Sequence, residues 1–452
     1  MTNRIATCGF IASLLIRGVV FGQPAPDSAS DPLSLRAAIR LAVDNNRQVQ
    51  TARLQAEKAG EDVAVARTRR LPKFELDVSA SQLLTPASFA FPRAAFGEYP
   101  GIGPIPATDT TVDVPRQPTV YVSSQVSQPI SQLFQIGLGI QSASTTHEME
   151  RERARAQELA VVNSVKRLYF AILQTKSALA AGEEAIALYR ELDRTVQVRV
   201  AQKVALRSDA LDVQFRLAQE ELSRTMRRNT LASQKEQLNL LLGRDVRARF
   251  DVEDVAAITV LEVDPVAAQT RALANRPDVR EAQLKLQQAE LDRRITKADR
   301  LPEISLAVSY TSNFNIDMLP KNLAMLGVQV KWEPFDWGRK GRQLAVKGHT
   351  VQQARLAVRD SEDQTVIDVN SRARTLAEKR ALLTVAQMAQ TAGREKLRVK
   401  ANQFQVQAAL LPDVLQLRAE LADTDDRCQQ ALLAFWTAKA DFEYAVGEEV
   451  IE

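Results

Sequence analysis

Asn45 to Ser81 reads N-N-R-Q-V-Q-T-A-R-L-Q-A-E-K-A-G-E-D-V-A-V-A-R-T-R-R-L-P-K-F-E-L-D-V-S-A-S, and Asn275 to Tyr310 reads N-R-P-D-V-R-E-A-Q-L-K-L-Q-Q-A-E-L-D-R-R-I-T-K-A-D-R-L-P-E-I-S-L-A-V-S-Y. In both stretches a polar, helix-like segment reaches Arg-Leu-Pro and then changes to residue-by-residue alternation. Proline stops the helix, and alternation is the side-chain period of a strand. A duplication this long makes each half one structural unit, which buries its faces against the other.

Working outward, the first alternating run sets Phe74, Leu76, Val78 and Ala80 against Glu75, Asp77, Ser79 and Ser81. A second sets Val120, Val122 and Val126 against Tyr121, Ser123 and Gln125 and ends at Pro129. The second half repeats the pair with Ile304, Leu306, Val308 and Tyr310, then with Leu326, Val328, Val330 and Trp332 ahead of Pro334. Strands are therefore expected near 74–84, 118–129, 303–314 and 323–333. Each has one apolar and one polar face and about ten residues, as strands of a membrane barrel require. Two hairpins on a soluble core would explain any one strand. Four at matched places, between long polar helices, favour the barrel.

Four strands cannot close a barrel, and an open edge in lipid leaves backbone groups without partners. Several copies must then contribute strands. Two would give a small, side-chain-filled barrel and three a twelve-stranded one with room for a lumen, which the polar faces favour. Tyr121, Tyr310, Phe314, Trp332, Phe335 and Trp337 lie on or beside the strands, where an interfacial aromatic girdle belongs. The loop 314–322 is short. The insert 85–117 holds Pro86, Pro92, Pro100, Pro104, Pro106 and Pro115, a density that excludes helix and central strand. It is expected at the cell surface or folded over the pore.

Helix breakers divide the rest. No proline lies between Pro129 and Pro265 or between Pro334 and Pro412, and Gly182 is the single glycine between Gly139 and Gly243. Such runs predict very long helices; Gln135 to Lys203 would span about 100 Å at ~1.5 Å per residue. The first helix is expected from Ser34, its N-cap, to about Arg70.

Composition agrees: only 5% of the 452 residues are aromatic, and 59 Lys and Arg nearly balance 55 Asp and Glu. The clusters R-E-R-A-R (151–155) and M-R-R-N (226–229) sit among acids at helical spacing and read as solvated faces, not as a nucleic-acid surface. Residues 1–22 read as a signal peptide, with Arg4, an apolar run from Ile5 to Ile16 and cleavage near Gly22. Cys8 falls inside it, so Cys428 is left alone and no intrachain disulfide is expected. The reading is of an exported chain without a helical anchor.

Taken together, the pattern resembles the outer-membrane factor family, the TolC-like trimeric channel-tunnels of Gram-negative drug efflux and type I secretion. The resemblance runs from Ser34 to Gly447. It rests on Asn275-Arg-Pro-Asp-Val279, the Leu-Pro pairs at 71–72 and 301–302, and the strand ends Gln128-Pro129 and Glu333-Pro334. R-S-D-A-L-D (207–212) recurs as L-P-D-V-L-Q (411–416), and the halves close with Leu242-Gly243 and Val446-Gly447.

The resemblance implies a mixed α/β membrane protein: a homotrimeric twelve-stranded β-barrel, four strands per chain, continued by a long α-helical barrel through the periplasm. It implies a belt from residues 23–33 and 245–265, with repeats over 34–244 and 266–452. Partners would be outer-membrane lipid, a periplasmic adaptor and an inner-membrane pump or exporter. Lys203, Val204, Ser208, Gln407 and Leu411 would lie at the adaptor-contact tip. Where the family carries two aspartates three apart at its constriction, this chain has Asp413 and Gln416, and Asp209 and Asp212 hold the full spacing in the first repeat. The family often has a tip glycine; Lys203 and Gln407 stand there, so a left-handed turn residue is expected to be missing.

No catalytic or cofactor constellation is legible. His147 and His349 are far from any other His or Cys and read as exposed helix-start histidines. There is no phosphate-binding glycine loop and no nucleophile elbow. The competing reading is a secreted or periplasmic structural coiled coil without a pore. Such a rod has no use for four matched amphipathic strands, and the helices lack its sustained heptads.

Overall fold

The computed structural model describes residues 32–204, 206–254, 264–315, 320–406, 408 and 411–448. The signal segment 1–22, positions 23–31 and 255–263 of the expected belt, and Gln407 lie outside the described residues. The first half comprises α1 (Leu35–Asn45), α2 (Arg47–Thr68), β1 (Lys73–Gln82), four short or insert strands, β6 (Pro118–Pro129), α3 (Leu133–Ala201) and α4 (Arg207–Leu241). The second comprises α5 (Pro265–Asn275), α6 (Pro277–Ala298), β7 (Glu303–Phe314), β8 (Asn322–Lys331), α7 (Arg339–Gln405) and α8 (Leu411–Val446). Helices α3 and α7 run for 69 and 67 residues, each about 100 Å long.

The helix expected from Ser34 to Arg70 is two helices. Ser34 caps α1 as expected, its side chain accepting from Ala37 N. Asn46 then leaves helical geometry at ψ 126° and accepts from Gln48 N at 2.8 Å, so it ends α1 and caps α2. It is 4% exposed and donates Nδ2 to Leu241 O at 2.8 Å. Arg276 breaks the helix between α5 and α6 in the same way at ψ 127°, without a side-chain cap, and Pro277 is the first helical residue. Both breaks receive a glycine. A Cβ on Gly243 (φ +68°) would stand 2.2 Å from Asn45 O, and one on Gly447 (φ +75°) 3.2 Å from the Arg276 backbone. The Leu-Gly and Val-Gly endings are therefore close-approach points where a side chain has no room.

The core lies where these breaks meet the long helices. Val165, Tyr169 and Ile172 of α3 pack with Ala38, Ile39 and Ala42 of α1 and with Leu238 and Leu242 at the end of α4. Val369 and Leu376 of α7 meet Ala268 and Ala272 of α5 and Phe435 and Val446 of α8. Fully buried alanines let the short helices sit close on the long ones. Each larger apolar side chain so buried contributes roughly 1.5–3 kcal/mol. In one layer α2 packs on α3, α3 on α6 and α6 on α7; in the other α4 packs on α3, α3 on α8 and α8 on α7.

The four long strands form one antiparallel sheet in the order β1-β6-β7-β8, leaving β1 and β8 as its edges. Within the proline-rich insert, β2 (Ala87–Phe91) pairs with β5 (Thr110–Val114), and β3 (Glu98–Tyr99) with β4 (Gly103–Pro104). The insert is thus a hairpin ribbon growing from β1 and β6 rather than an irregular loop. No described helix is long and apolar enough to cross a membrane. His349 is exposed as expected, but His147 is not. It is half-buried, with Nδ1 2.9 Å from Ala56 O and its ring against Gly60, and it ties α3 to α2.

Candidate functional site

The sheet register sorts the strand residues onto two faces, since directly opposed residues share one. Phe74, Val126, Val308 and Leu326 stand in a row across all four strands. Leu76, Val78, Val122, Leu306, Tyr310, Phe314, Val328 and Val330 continue that face. Its side chains are open, with Phe74 at 65% and Leu326 at 73% exposure. An apolar surface of this extent faces lipid or a partner, not water. The opposite face carries Glu75, Gln125 and Ser309 in one row and Asp77, Ser123 and Thr311 in the next, with Leu323 and Met325 of β8 as its apolar members.

Tyr121 pairs with Ser79 and Asn313, so it lies on this polar face and not with the aromatics of the apolar one. Residue type suggested a girdle position; side-chain parity decides otherwise. Tyr310 and Phe314 do occupy the apolar face, with Tyr310 donating its hydroxyl to Asn322 Oδ1 at 3.0 Å. Trp332 follows the end of β8, and Trp337 is 90% exposed at φ +55°, its ring edge-on to Phe335 at 4.8 Å. Asp336 fixes this turn by accepting from Gly338 N and Lys340 N at the start of α7. Those two N–H groups hold its carboxyl below the usual range.

At the far ends of the long helices the expected missing turn residue is present: Lys203 itself adopts φ +64°. Val204 N donates to Arg199 O at 2.9 Å and Lys203 N to Val200 O at 3.0 Å, the two bonds of a left-handed helix stop. Ending the helix there sets the backbone whatever the side chain, at a cost of roughly 1–2 kcal/mol for a residue with a Cβ. In the second half Ala408 N donates to Gln403 O at 2.8 Å, and α8 begins at Leu411. Val204 and Ser208 are exposed beside the first turn.

The four candidate constriction residues are not gathered within one chain; they sit at the starts of α4 and α8. Asp209 turns back to accept from Leu206 N at 3.1 Å, which stabilises the helix start, while Asp212 is exposed without an ionic partner among the described residues. Asp413 faces Lys400 of α7, 3.4 Å away, and Gln416 donates to Glu420 at 3.2 Å. Composition gave no sign of the Lys400 contact, because it depends on how α7 and α8 are registered.

Two further sites escaped the sequence reading. Tyr169 is 1% exposed, and its hydroxyl reaches Leu33 O at 2.8 Å and Glu253 O at 2.7 Å. It locks the parallel bridge between Leu33 and Val252 onto α3. Burial pushes the phenol well above its usual range, so it stays protonated. Arg276, in the Asn-Arg-Pro-Asp motif, donates to Asp278 and Asp368 at 2.8 Å and to Ala445 O at 3.2 Å. Burial opposes its charge, yet the two carboxylates more than offset that and hold the proton more tightly. Burial likewise raises Asp278, but Arg276 and backbone N–H groups bring it below the usual carboxylate range. The second site lay inside a motif read as a family marker and not as an ion cluster, and a lone tyrosine in a polar helix was the available signal for the first.

A family model described as outer membrane efflux protein matches residues 38–244 and 269–448. The chain belongs to the outer membrane efflux protein family. That family is one of efflux proteins and not a family of enzymes. Among known relatives, the chain is 25% identical over 178 residues to an uncharacterized protein of Haemophilus influenzae, 38% of each chain. It thus spans less than half the length of that relative. It is 23% identical over 361 residues to the outer membrane efflux protein BepC of Brucella suis, covering 78% of this chain and 71% of BepC. The fold is that of the CmeC outer membrane channel of Campylobacter jejuni, with a TM-score of 0.75 over 91% of this chain and 85% of CmeC at 15% identity.

Proposed function

We propose that this chain is the passive exit duct of a tripartite efflux or type I secretion system, placed in the outer membrane with its helices in the periplasm. The carrying observation is the four-stranded sheet, apolar on one continuous face, polar on the other and unpaired at both edges. Lipid explains the apolar face, and pairing of β8 with β1 of a neighbouring copy explains the edges. Three copies give twelve strands, with the hydroxyl-rich face around a wet lumen and α3 and α7 continuing the wall.

In this reading Tyr310, Phe314, Trp332 and Trp337 mark the membrane interface. Residues 23–33 and 245–265 are assigned to the belt, outside the two repeats over 34–244 and 266–452. Lys203, Val204, Ser208, Gln407 and Leu411 meet a periplasmic adaptor, and an inner-membrane pump or exporter supplies the energy. Symmetry brings three Asp413 carboxylates to the constriction, each offset by Lys400, with Gln416, Asp209 and Asp212 nearby. Family membership and the channel fold support the duct, while a pore-free coiled-coil rod leaves the apolar sheet face unexplained.

Native mass spectrometry of the detergent-extracted membrane fraction tests the assembly. Three copies of the mature chain are expected; a monomer recovered from the soluble periplasmic extract would return the rod.

A further inference from the structure

The long helices of the two halves correspond at an offset of 204, with Asp209 matching Asp413 and Gly243 matching Gly447. Burial keeps the same register: Val165 and Val369 are both 0% exposed, and Leu242 and Val446 are 1% and 0% exposed. Within that correspondence one groove is filled, and its counterpart holds no such segment among the described residues.

In the first half, residues 245–254 lie between α3 and α4 as an extended strap. Asn239 donates Nδ2 to Val246 O at 2.9 Å and to Ala248 O at 2.8 Å. Phe250 is buried in the core, with the Arg244 guanidinium 4.4 Å from its ring centre. The Asp251 carboxylate sits between two cations, Lys176 at 2.9 Å and Lys235 at 3.4 Å. Tyr169 fixes the far end through Glu253 O.

In the second half the space between α7 and α8, beside α5, is a groove of about 970 Å³. No strap of described residues occupies it. At the +204 positions Tyr169 becomes Ala373 and Leu173 becomes Ala377, which clears the floor, while Phe435 and Phe442 keep it apolar. The carboxylate clamp survives in chemistry: Lys176 becomes Arg380, and Lys235 becomes Lys439. Phe170 becomes Arg374, adding a third cation. Neither Arg374 nor Arg380 has an ionic partner among the described residues, and Lys439 lies 3.6 Å from Glu443 and over the Trp436 ring.

We propose that the α7–α8 groove receives an extended, acidic segment of a partner protein, its carboxylate held between Arg380 and Lys439 as Asp251 is held between Lys176 and Lys235. Asp264, Glu443 and Glu448 also line the groove, but Glu448 pairs with Arg271 and Glu443 with Lys439, which leaves Arg374 and Arg380 to select the sign of its occupant. The filled groove shows the form: an aromatic residue on the apolar floor, followed directly by an acid. The proposal rests on the reading that the chain works within a multi-protein assembly, and each copy offers one such groove.

The test uses a fluorescent peptide with the sequence of residues 246–254, V-R-A-R-F-D-V-E-D, titrated onto the full chain in detergent. Saturable binding is expected, weakened about tenfold or more by Arg380→Gln together with Lys439→Gln and by asparagine in place of the peptide's first aspartate, and retained by Arg380→Lys. A photo-crosslinker at Ala377 is expected to capture the peptide. Absent binding, binding insensitive to both cations, or a crosslink from Ala377 to the chain's own residues or to a second copy would each overturn the proposal. Single-channel conductance of the same variants reports on the duct separately. Channels without peptide binding remove this proposal alone, and peptide binding without channels removes the duct.

Discussion

Tyr169 shows how much one side chain can fix. Its single hydroxyl proton is shared between two carbonyls from segments far apart in sequence, Leu33 and Glu253, at a site 1% exposed. Tyr169→Phe removes that donor while keeping the ring. The expected loss is roughly 1–3 kcal/mol, the cost of leaving buried acceptors unpaired. Limited trypsin digestion checks it: cleavage after the exposed Arg247 and Arg249 should quicken as the strap loosens. The Arg276–Asp278–Asp368 cluster gives the pH dependence. Asp278 has a lowered folded-state pKa, so its contribution is full above the ordinary carboxylate pKa and is lost as pH falls through the lower, folded value. Thermal melts should show an acid limb below about pH 4 that Asp278→Asn flattens.

Among the elements, the strands carry the sharpest test of side-chain parity. With Cys428 buried and replaced by serine as a background, Tyr121→Cys on the polar face should react with a charged, membrane-impermeant thiol reagent in lipid vesicles. Tyr310→Cys on the apolar face should stay protected; equal reactivity would dissolve the two-faced wall. The strands were legible because period-2 alternation is set by the pleat, and β6 and β7 run over 118–129 and 303–314 as read from sequence. Tyr121 was read opposite Val120 and Val122, the face on which the register has it, while its aromatic type alone grouped it with the girdle. The helix break at Asn46 was hidden by apolar spacing that continues through it, and becomes necessary only when Gly243 arrives from 197 residues away. Lys203 was misjudged by propensity, since the bond from Val204 to Arg199 imposes the left-handed turn that propensity disfavours.

For the whole molecule, the parts are consistent with a single shape. On the proposed reading lipid covers the apolar sheet face, neighbouring copies pair with its two edges, and helices of about 100 Å carry the wall away from the membrane. The duct needs no active site, only an unbroken lumen and a narrow end. In the proposed duct Asp413, which pairs with Lys400, would stand near that end in each copy. Reconstitution of the purified assembly into planar bilayers, with Asp413→Ala beside the unaltered chain, measures this directly. The account predicts discrete single-channel currents, higher in the variant and less sensitive to block by multivalent cations. A protein that inserts and never conducts would contradict it.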